Sequence, residues 1–299
     1  MRFIRNDQTP GSILSRAKIN LTLEITGIRE DGYHLLDSVM QKIALHDTLQ
    51  IEIMKQARDH QVFCQTPNCP EHDKNIVYKA LTAWSKATGS EKKYRVSIEK
   101  RIPMQAGLGG GSSNAAAVLR YLQEKAGVCK VPPLPNEQLL ALATDIGADV
   151  PFCLSGITAR CQGIGEIVKP LEPLPELPVL MLLGETPVNT KAAFKAIDER
   201  KDQEEQTPID HLEIVQSIRR GDMYPGLAKA NAFLFDRSDA ADMEAWFKDI
   251  PSLYAGLSGS GPTYFLIFSD EKRRDGGAKN LKAHVPAERL VYTTLSSDI

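Results

Sequence analysis

Along residues 17–26 the chain alternates apolar and polar positions, with Ile19, Leu21, Leu23 and Ile25 two apart. That period predicts a half-buried strand over Ala17–Thr26. Asp47–Met54 repeats it with Leu49, Ile51 and Ile53, and Tyr94–Glu99 with Tyr94, Val96 and Ile98. Between these, Val77, Ala80, Leu81 and Trp84 fall at helical spacing and predict a helix over Asn75–Lys86. Two more helices are predicted. Ser112–Ala126 places Ala115, Val118, Leu119 and Leu122 on one face, with Gly127 just past its end; Asn136–Ile146 has Asn136 as N-cap and Gly147 as stop. The stretch Lys169–Pro178 holds four prolines and predicts an irregular connector, which sets a boundary between residues 1–168 and 169–299. Beyond it come a strand, Val179–Leu183, helical patterns between Lys191 and Lys248, and strands Pro251–Leu257 and Pro262–Phe268. After Ser269 the pattern is weak, with Gly276 and Gly277 inside a polar run. Strands and helices mix without a regular βαβ repeat, so the expected class is α+β in two lobes.

Composition narrows the function classes. With 36 Lys+Arg against 38 Asp+Glu, the net charge is −2. Such a chain offers no global field to nucleic acid or an anionic membrane, so anion recognition must be local. No apolar run approaches the roughly 18–20 residues of a membrane span, and Met1–Leu14 lacks the apolar core of a signal peptide. Five scattered cysteines suit a reducing compartment better than a disulfide framework. The expectation is a cytoplasmic protein with no nucleic-acid, membrane or obligate protein partner. His60, Cys64, Cys69 and His72 form H-x₃-C-x₄-C-x₂-H, a spacing only loosely like that of zinc modules. Ordinary structural roles are the expectation for these four.

The candidate chemistry sits in Pro103-Met104-Gln105-Ala106-Gly107-Leu108-Gly109-Gly110-Gly111-Ser112-Ser113, between a predicted strand and a predicted helix. Four glycines in five residues are entropically costly to order and suit a place where something approaches the backbone closely. The loop runs into a helix start, where free N–H groups and the dipole favour an anion. A polyphosphate is the natural guest, with Ser112 and Ser113 offering hydroxyls to phosphate or to a phosphate-bound Mg²⁺. The loop is not a Walker A sequence, since no Lys follows the last glycine, and Ser112 stands where G-x-G-x-x-G needs its third glycine. A second cluster, Gly256–Gly261, reads as a hairpin turn that could close a phosphate site from the other side.

Together these pieces resemble the GHMP kinases, whose phosphate loop Pro-x-x-x-Gly-Leu-Gly-Gly-Gly-Ser-Ser matches Pro103–Ser113. Within them the chain is similar to the branch that acts on a cytidine diphosphate sugar alcohol. It matches that branch at Ala17-Lys18-Ile19-Asn20-Leu21-Thr22-Leu23, Gly27–His34, Gly147–Phe152, Gly163–Glu166 and Gly259–Gly261. The resemblance implies a two-lobed α+β fold, its first lobe like a ribosomal-protein domain, with the active site in the cleft between lobes. It implies transfer of phosphate from ATP, with Mg²⁺, to the 2-hydroxyl of the methylerythritol unit in non-mevalonate isoprenoid synthesis in a bacterial cytoplasm. Asp149 would be the proton acceptor, Lys18 the cation beside it, and Asn20 a contact to the acceptor. Asn75 would contact adenine, and Tyr33 and Phe194 would sandwich cytosine, with hydrogen bonds from the His34 backbone. Thr190, Gly259 and Ser260 would complete the substrate site. Homoserine and mevalonate kinases are the rival enzymes, distinguished by the Asp31-Gly32-Tyr33-His34 motif, because their substrates carry no base to stack. A non-catalytic RNA-binding module is a further rival, and it predicts a basic face with interleaved aromatics, whereas this chain is net acidic.

Overall fold

A computed structural model describes residues 12–298 except 187, 200–208 and 225. The start of the Met1–Leu14 segment and part of the Lys191–Lys248 region therefore lie outside the described residues. The elements in chain order are β1 (Ser12–Asn20), β2 (Glu24–Ile28), β3 (His34–Met54), β4 (Gln61–Cys64), α1 (Ile76–Thr88), β5 (Lys93–Glu99), α2 (Gly110–Glu124), α3 (Asn136–Ile146), α4 (Val150–Ser155), β6 (Thr158–Gly163) and β7 (Ile167–Pro170). After the proline-rich stretch come β8 (Pro178–Leu182), α5 (Thr190–Asp198), α6 (His211–Arg220), α7 (Ala240–Phe247), β9 (Tyr254–Leu257), β10 (Tyr264–Ile267), α8 (Glu271–Leu281) and β11 (Leu290–Thr294).

Among the described residues the strands form two sheets. The first has seven strands organised by β3, which carries β1 and β2 along one edge and β5 and β6 along the other. The second is antiparallel, in the order β11-β8-β10-β9. Helices α1 to α4 pack on the first sheet around Trp84, Tyr94, Leu119 and Phe152. The sheets share a core in which Ala17, Ile19 and Val39 meet Val179, Met181 and Phe265. No helix among the described residues is long and apolar enough to cross a membrane.

The predicted strand at Ala17–Thr26 is divided. β1 stops at Asn20 because the next residues turn toward the second half, where Leu23 N donates to Ala230 O at 2.8 Å. The polar positions of β1 are not solvated: its apolar side chains enter the shared core, while Lys18 and Asn20 lie buried on the opposite face. The run after Ser269 forms α8 and β11. Gly277 belongs in that helix for packing reasons, since a Cβ there would come within 3.0 Å of Ile250 and Phe268. Cys64, Cys69, Cys129, Cys153 and Cys161 are free thiols. His60 uses Nδ1 to accept from Tyr94 N at 3.2 Å, and burial pushes its pKa down to about 4. His72 stands edge-on to Phe63.

Candidate active site

A cleft of about 670 Å³ opens between β1, the glycine loop, the β2–β3 turn, α5 and the β9–β10 loop. The loop's apolar residues anchor it: Ala106 and Leu108 are buried in the shared core, while Gly107 and Gly109 line the cleft. The glycines make room mainly for the protein itself. At Gly107 a Cβ would sit 2.2 Å from the Ser258 carbonyl oxygen, and at Gly109 it would sit 2.9 Å from Lys18 Cγ. Both residues have positive φ, at 75° and 65°, which side-chain-bearing residues rarely adopt. Lys18 N donates to Leu108 O at 3.0 Å, tying the loop to β1. Gly109 is the N-cap of α2, which starts at Gly110 and not at Ser112. With no side chain capping it, the first-turn N–H groups are left for a guest.

The approach to the loop is fixed by Asp47, wholly buried, which accepts from Lys100 Nζ at 2.5 Å, Arg101 N at 2.8 Å and Ile102 N at 2.9 Å. Ser112 lines the cleft. Ser113 is turned away, its hydroxyl donating to the Arg16 carbonyl.

Lys18 and Asp149 meet on the cleft floor, Nζ to Oδ2 at 3.5 Å, with the lysine side chain 4% and the carboxylate 31% exposed. Asp149 begins the short helix α4, yet its side chain makes no cap bond, so the carboxylate is left to the cleft. Lys18 also donates to Asn20 Oδ1 at 2.6 Å. The far end of α4 is held by the buried Lys42 and the half-buried Arg120: Lys42 Nζ and Arg120 Nη1 donate to the Cys153 carbonyl at 2.9 and 2.7 Å. Lys42 is the cross-strand partner of Lys18. Burial first, and the nearby Arg120 second, lower its pKa to about 7.

The other end of the cleft is aromatic. The Arg29–Asp31 pair, with contacts of 2.9 and 2.7 Å, shapes the turn, and Tyr33 N donates to Asp31 Oδ1 at 3.3 Å. Tyr33 is 59% exposed, with the Arg29 guanidinium 5.5 Å from its ring centroid. The ring that stacks on Phe194 is the imidazole of His34, with centroids 4.4 Å apart and planes at 21°. Its Nε2 lies 2.8 Å from Asp198 Oδ1, and Phe233 stands edge-on behind Phe194 at 5.0 Å. Thr190 Oγ1 is 3.3 Å from Ser260 Oγ. Asn231 donates to the carbonyls of Leu257 and Gly259 at 2.9 and 3.0 Å, fixing the β9–β10 loop.

The structure thus gathers Lys18, Asn20, Tyr33, His34, Gly107, Gly109, Ser112, Asp149, Thr190, Phe194, Gly259 and Ser260 around one cleft. Gln105 lines an adjoining cavity of about 480 Å³. Pro103, Met104, Gly110 and Gly111 are not among the lining residues. Asn75 lies apart too: it caps α1 by accepting from Val77 N at 2.9 Å, and its amide donates to Pro70 O at 2.7 Å. Asp198, Lys191 and Phe233 line the cleft without having been singled out in the sequence. Lys191 sits one helical residue after the flagged Thr190, which is the signal that could have found it.

Fold and cleft define a class. The sequence profile described as GHMP kinases N terminal domain matches residues 75–157. A homoserine kinase from Cytophaga hutchinsonii is similar in fold, with a TM-score of 0.63 and 14% identity over 99% of this chain and 98% of that one. A narrower group is far closer. A curated 4-diphosphocytidyl-2-C-methyl-D-erythritol kinase of Clostridium tetani is 36% identical over 261 residues, covering 86% of this chain and 90% of the relative. A crystal structure of a 4-(cytidine 5'-diphospho)-2C-methyl-D-erythritol kinase has a TM-score of 0.75 and 30% identity, covering 96% of this chain and 99% of the other. The chain belongs to the 4-diphosphocytidyl-2-C-methyl-D-erythritol kinase family within the GHMP kinases, and is an ATP-using kinase.

Proposed function

We propose that the protein phosphorylates the 2-hydroxyl of 4-diphosphocytidyl-2-C-methyl-D-erythritol, giving ADP and the 2-phosphate. The observation that carries this is the placement, in one cleft, of the Lys18–Asp149 pair beside a bare helix start and an aromatic platform at the opposite end. Residues 1–168 supply the phosphate side and residues 169–299 much of the base side.

Phosphoryl transfer asks a protein mainly for positioning and charge stabilisation. The first-turn N–H groups of α2 stabilise the triphosphate and the charge that builds on the transferred group. Asp149 accepts the hydroxyl proton as the new O–P bond forms and the bond from the γ-phosphorus to the bridging oxygen breaks, which leaves ADP. Lys18 stands 3.5 Å from the Asp149 carboxylate and faces the incoming oxygen. Mg²⁺ prefers oxygen donors and retains phosphate and water ligands. The Ser112 hydroxyl and the Asp149 carboxylate are an oxygen set of that kind on the cleft wall, and Mg²⁺ would neutralise phosphate charge there. Phe194, with Tyr33 or His34 opposite, would stack on cytosine. The reaction needs no protein, nucleic-acid or membrane partner, and a chain with five unpaired thiols suits the reducing cytoplasm.

The test is ADP release with Mg-ATP and the cytidine diphosphate substrate, beside homoserine and mevalonate. Turnover with the cytidine substrate alone is expected. Turnover only with another acceptor would discard the cytidine assignment while keeping the kinase.

A further inference from the structure

Behind the cleft floor, three buried residues with no assigned role form one hydrogen-bond chain with Asn20. Ser38 and Thr22 are wholly buried and His211 nearly so. Asn20 Oδ1 accepts from Lys18 Nζ at 2.6 Å, and Asn20 Nδ2 donates to Ser38 Oγ at 2.9 Å. Ser38 has a single hydroxyl proton and donates it to the Thr22 carbonyl at 2.6 Å. Toward Asn20 it is therefore an acceptor. This decides which end of the amide faces which neighbour: the NH₂ must turn to Ser38, and the carbonyl is left for the ammonium. With the amide reversed, NH₂ would face Lys18 and oxygen would face a lone pair of Ser38. Both contacts are repulsive, and burial magnifies their cost.

The Thr22 carbonyl is itself held in place. Thr22 Oγ1 accepts from Val39 N at 2.8 Å and lies 2.8 Å from His211 Nδ1. Either partner of that contact can be the donor, according to the imidazole tautomer, and the ring's other nitrogen is Nε2. That nitrogen faces Glu24 at 3.2 Å and Asp37 at 3.7 Å.

We propose that Ser38 is a positioning residue for the phosphoryl transfer. By committing its proton to Thr22 it orients the Asn20 amide, and through it sets the Lys18 ammonium against Asp149. The Thr22–His211 contact anchors that arrangement to α6. The inference rests on the roles given above to Lys18, Asn20 and Asp149.

The experiment is steady-state kinetics on a double-mutant cycle of Ser38→Ala and Asn20→Ala with the cytidine diphosphate substrate. Ser38→Ala alone is expected to lower kcat about 10- to 100-fold while KM for ATP stays within about twofold. Ser38→Thr, which keeps the hydroxyl, returns most of kcat. In the Asn20→Ala background, Ser38→Ala costs nothing further, because the residue through which it acts is gone. Two losses that multiply, or a Ser38→Ala enzyme with wild-type kcat, would overturn the proposal. Should Ser38→Ala fail to fold, Ser38→Cys preserves the shape with a weak hydrogen-bonding thiol and is read by the same cycle. A fault in the underlying reading looks different: Asn20→Ala then retains wild-type kcat, or the wild type turns over none of the acceptors, and the proposal falls with it.

Discussion

The two ends of the cleft are built on opposite plans. At the phosphate end almost every contact is backbone or buried side chain: Lys18, Asn20 and Asp47 are covered, and the glycine loop is pinned by Ala106 and Leu108. At the base end, α5 has no buried residue, Tyr33 is mostly exposed, and His34 and Phe194 satisfy each other. The contrast separates two tasks. Phosphoryl transfer depends on sub-ångström placement and rewards rigidity. Stacking on a flat ring tolerates adjustment and can be done by side chains that pair among themselves until a base displaces them.

The largest expected effect breaks the rigid end at its proton acceptor. Asp149→Asn should lower kcat by about 10²–10⁴-fold, with ATP binding retained in a titration; near-wild-type turnover would refute the role. Gly109→Ala comes next. Its Cβ would crowd Lys18 at 2.9 Å in a positive-φ backbone, and displacing that ammonium should cost on the order of 10²-fold in kcat. A variant with unchanged kcat would mean that the loop is softer than its contacts indicate.

The third prediction concerns stability. Lys42 has a pKa of about 7 in the folded chain against 10.5 for an ordinary lysine. Between these values the unfolded chain binds more protons, so this group makes stability rise with pH from about 7 to about 10, by a few kcal/mol, and contributes no slope below that window. Thermal melts across that range should show the rise in the wild type. Lys42→Met should flatten it and raise the midpoint at pH 6; a variant with the same slope would assign the rise elsewhere.

At the adaptable end the effects are smaller and fall on a different constant. Phe194→Ala should raise KM for the cytidine substrate about tenfold, as the loss of one stacking partner implies, and leave KM for ATP unchanged. Equal loss on both substrates would contradict the division of the cleft. Asp198→Asn removes a half-exposed contact to His34 and should change KM by about twofold or less. A kcat effect as large as that of Gly109→Ala would show that the base end is as rigidly coupled as the phosphate end.

The legibility of the chain follows the same division. The glycine loop stands out because its chemistry is written in residue type and spacing, whereas Lys18 and Asp149 are ordinary strand and turn residues until the resemblance to the GHMP kinases points to them. The first half of β3 did not, because Asp37–Ile43 is buried on both faces and Ser38, Gln41 and Lys42 interrupt any apolar alternation. The same feature hid Ser38: a buried serine in a strand carries no sequence signal until its partners are known. The fate of Ser113, and the stacking of His34 rather than Tyr33 on Phe194, are decided by rotamers that no pattern encodes. Asp198 lies on an exposed helix where an aspartate is unremarkable.

The last strand has a consequence for how the protein is made. Residues 290–298 return to the beginning of the chain: Leu295 bridges Ile43, Ser296 N donates to the Lys42 carbonyl at 2.9 Å, and Asp298 pairs with Arg16 at 2.7 Å. The lysine that steadies α4 is thus roofed by residues synthesised some 250 positions later. The strands of the first sheet pair among themselves, but the Lys42 carbonyl and the Arg16 guanidinium find these partners only when residues 296 and 298 dock.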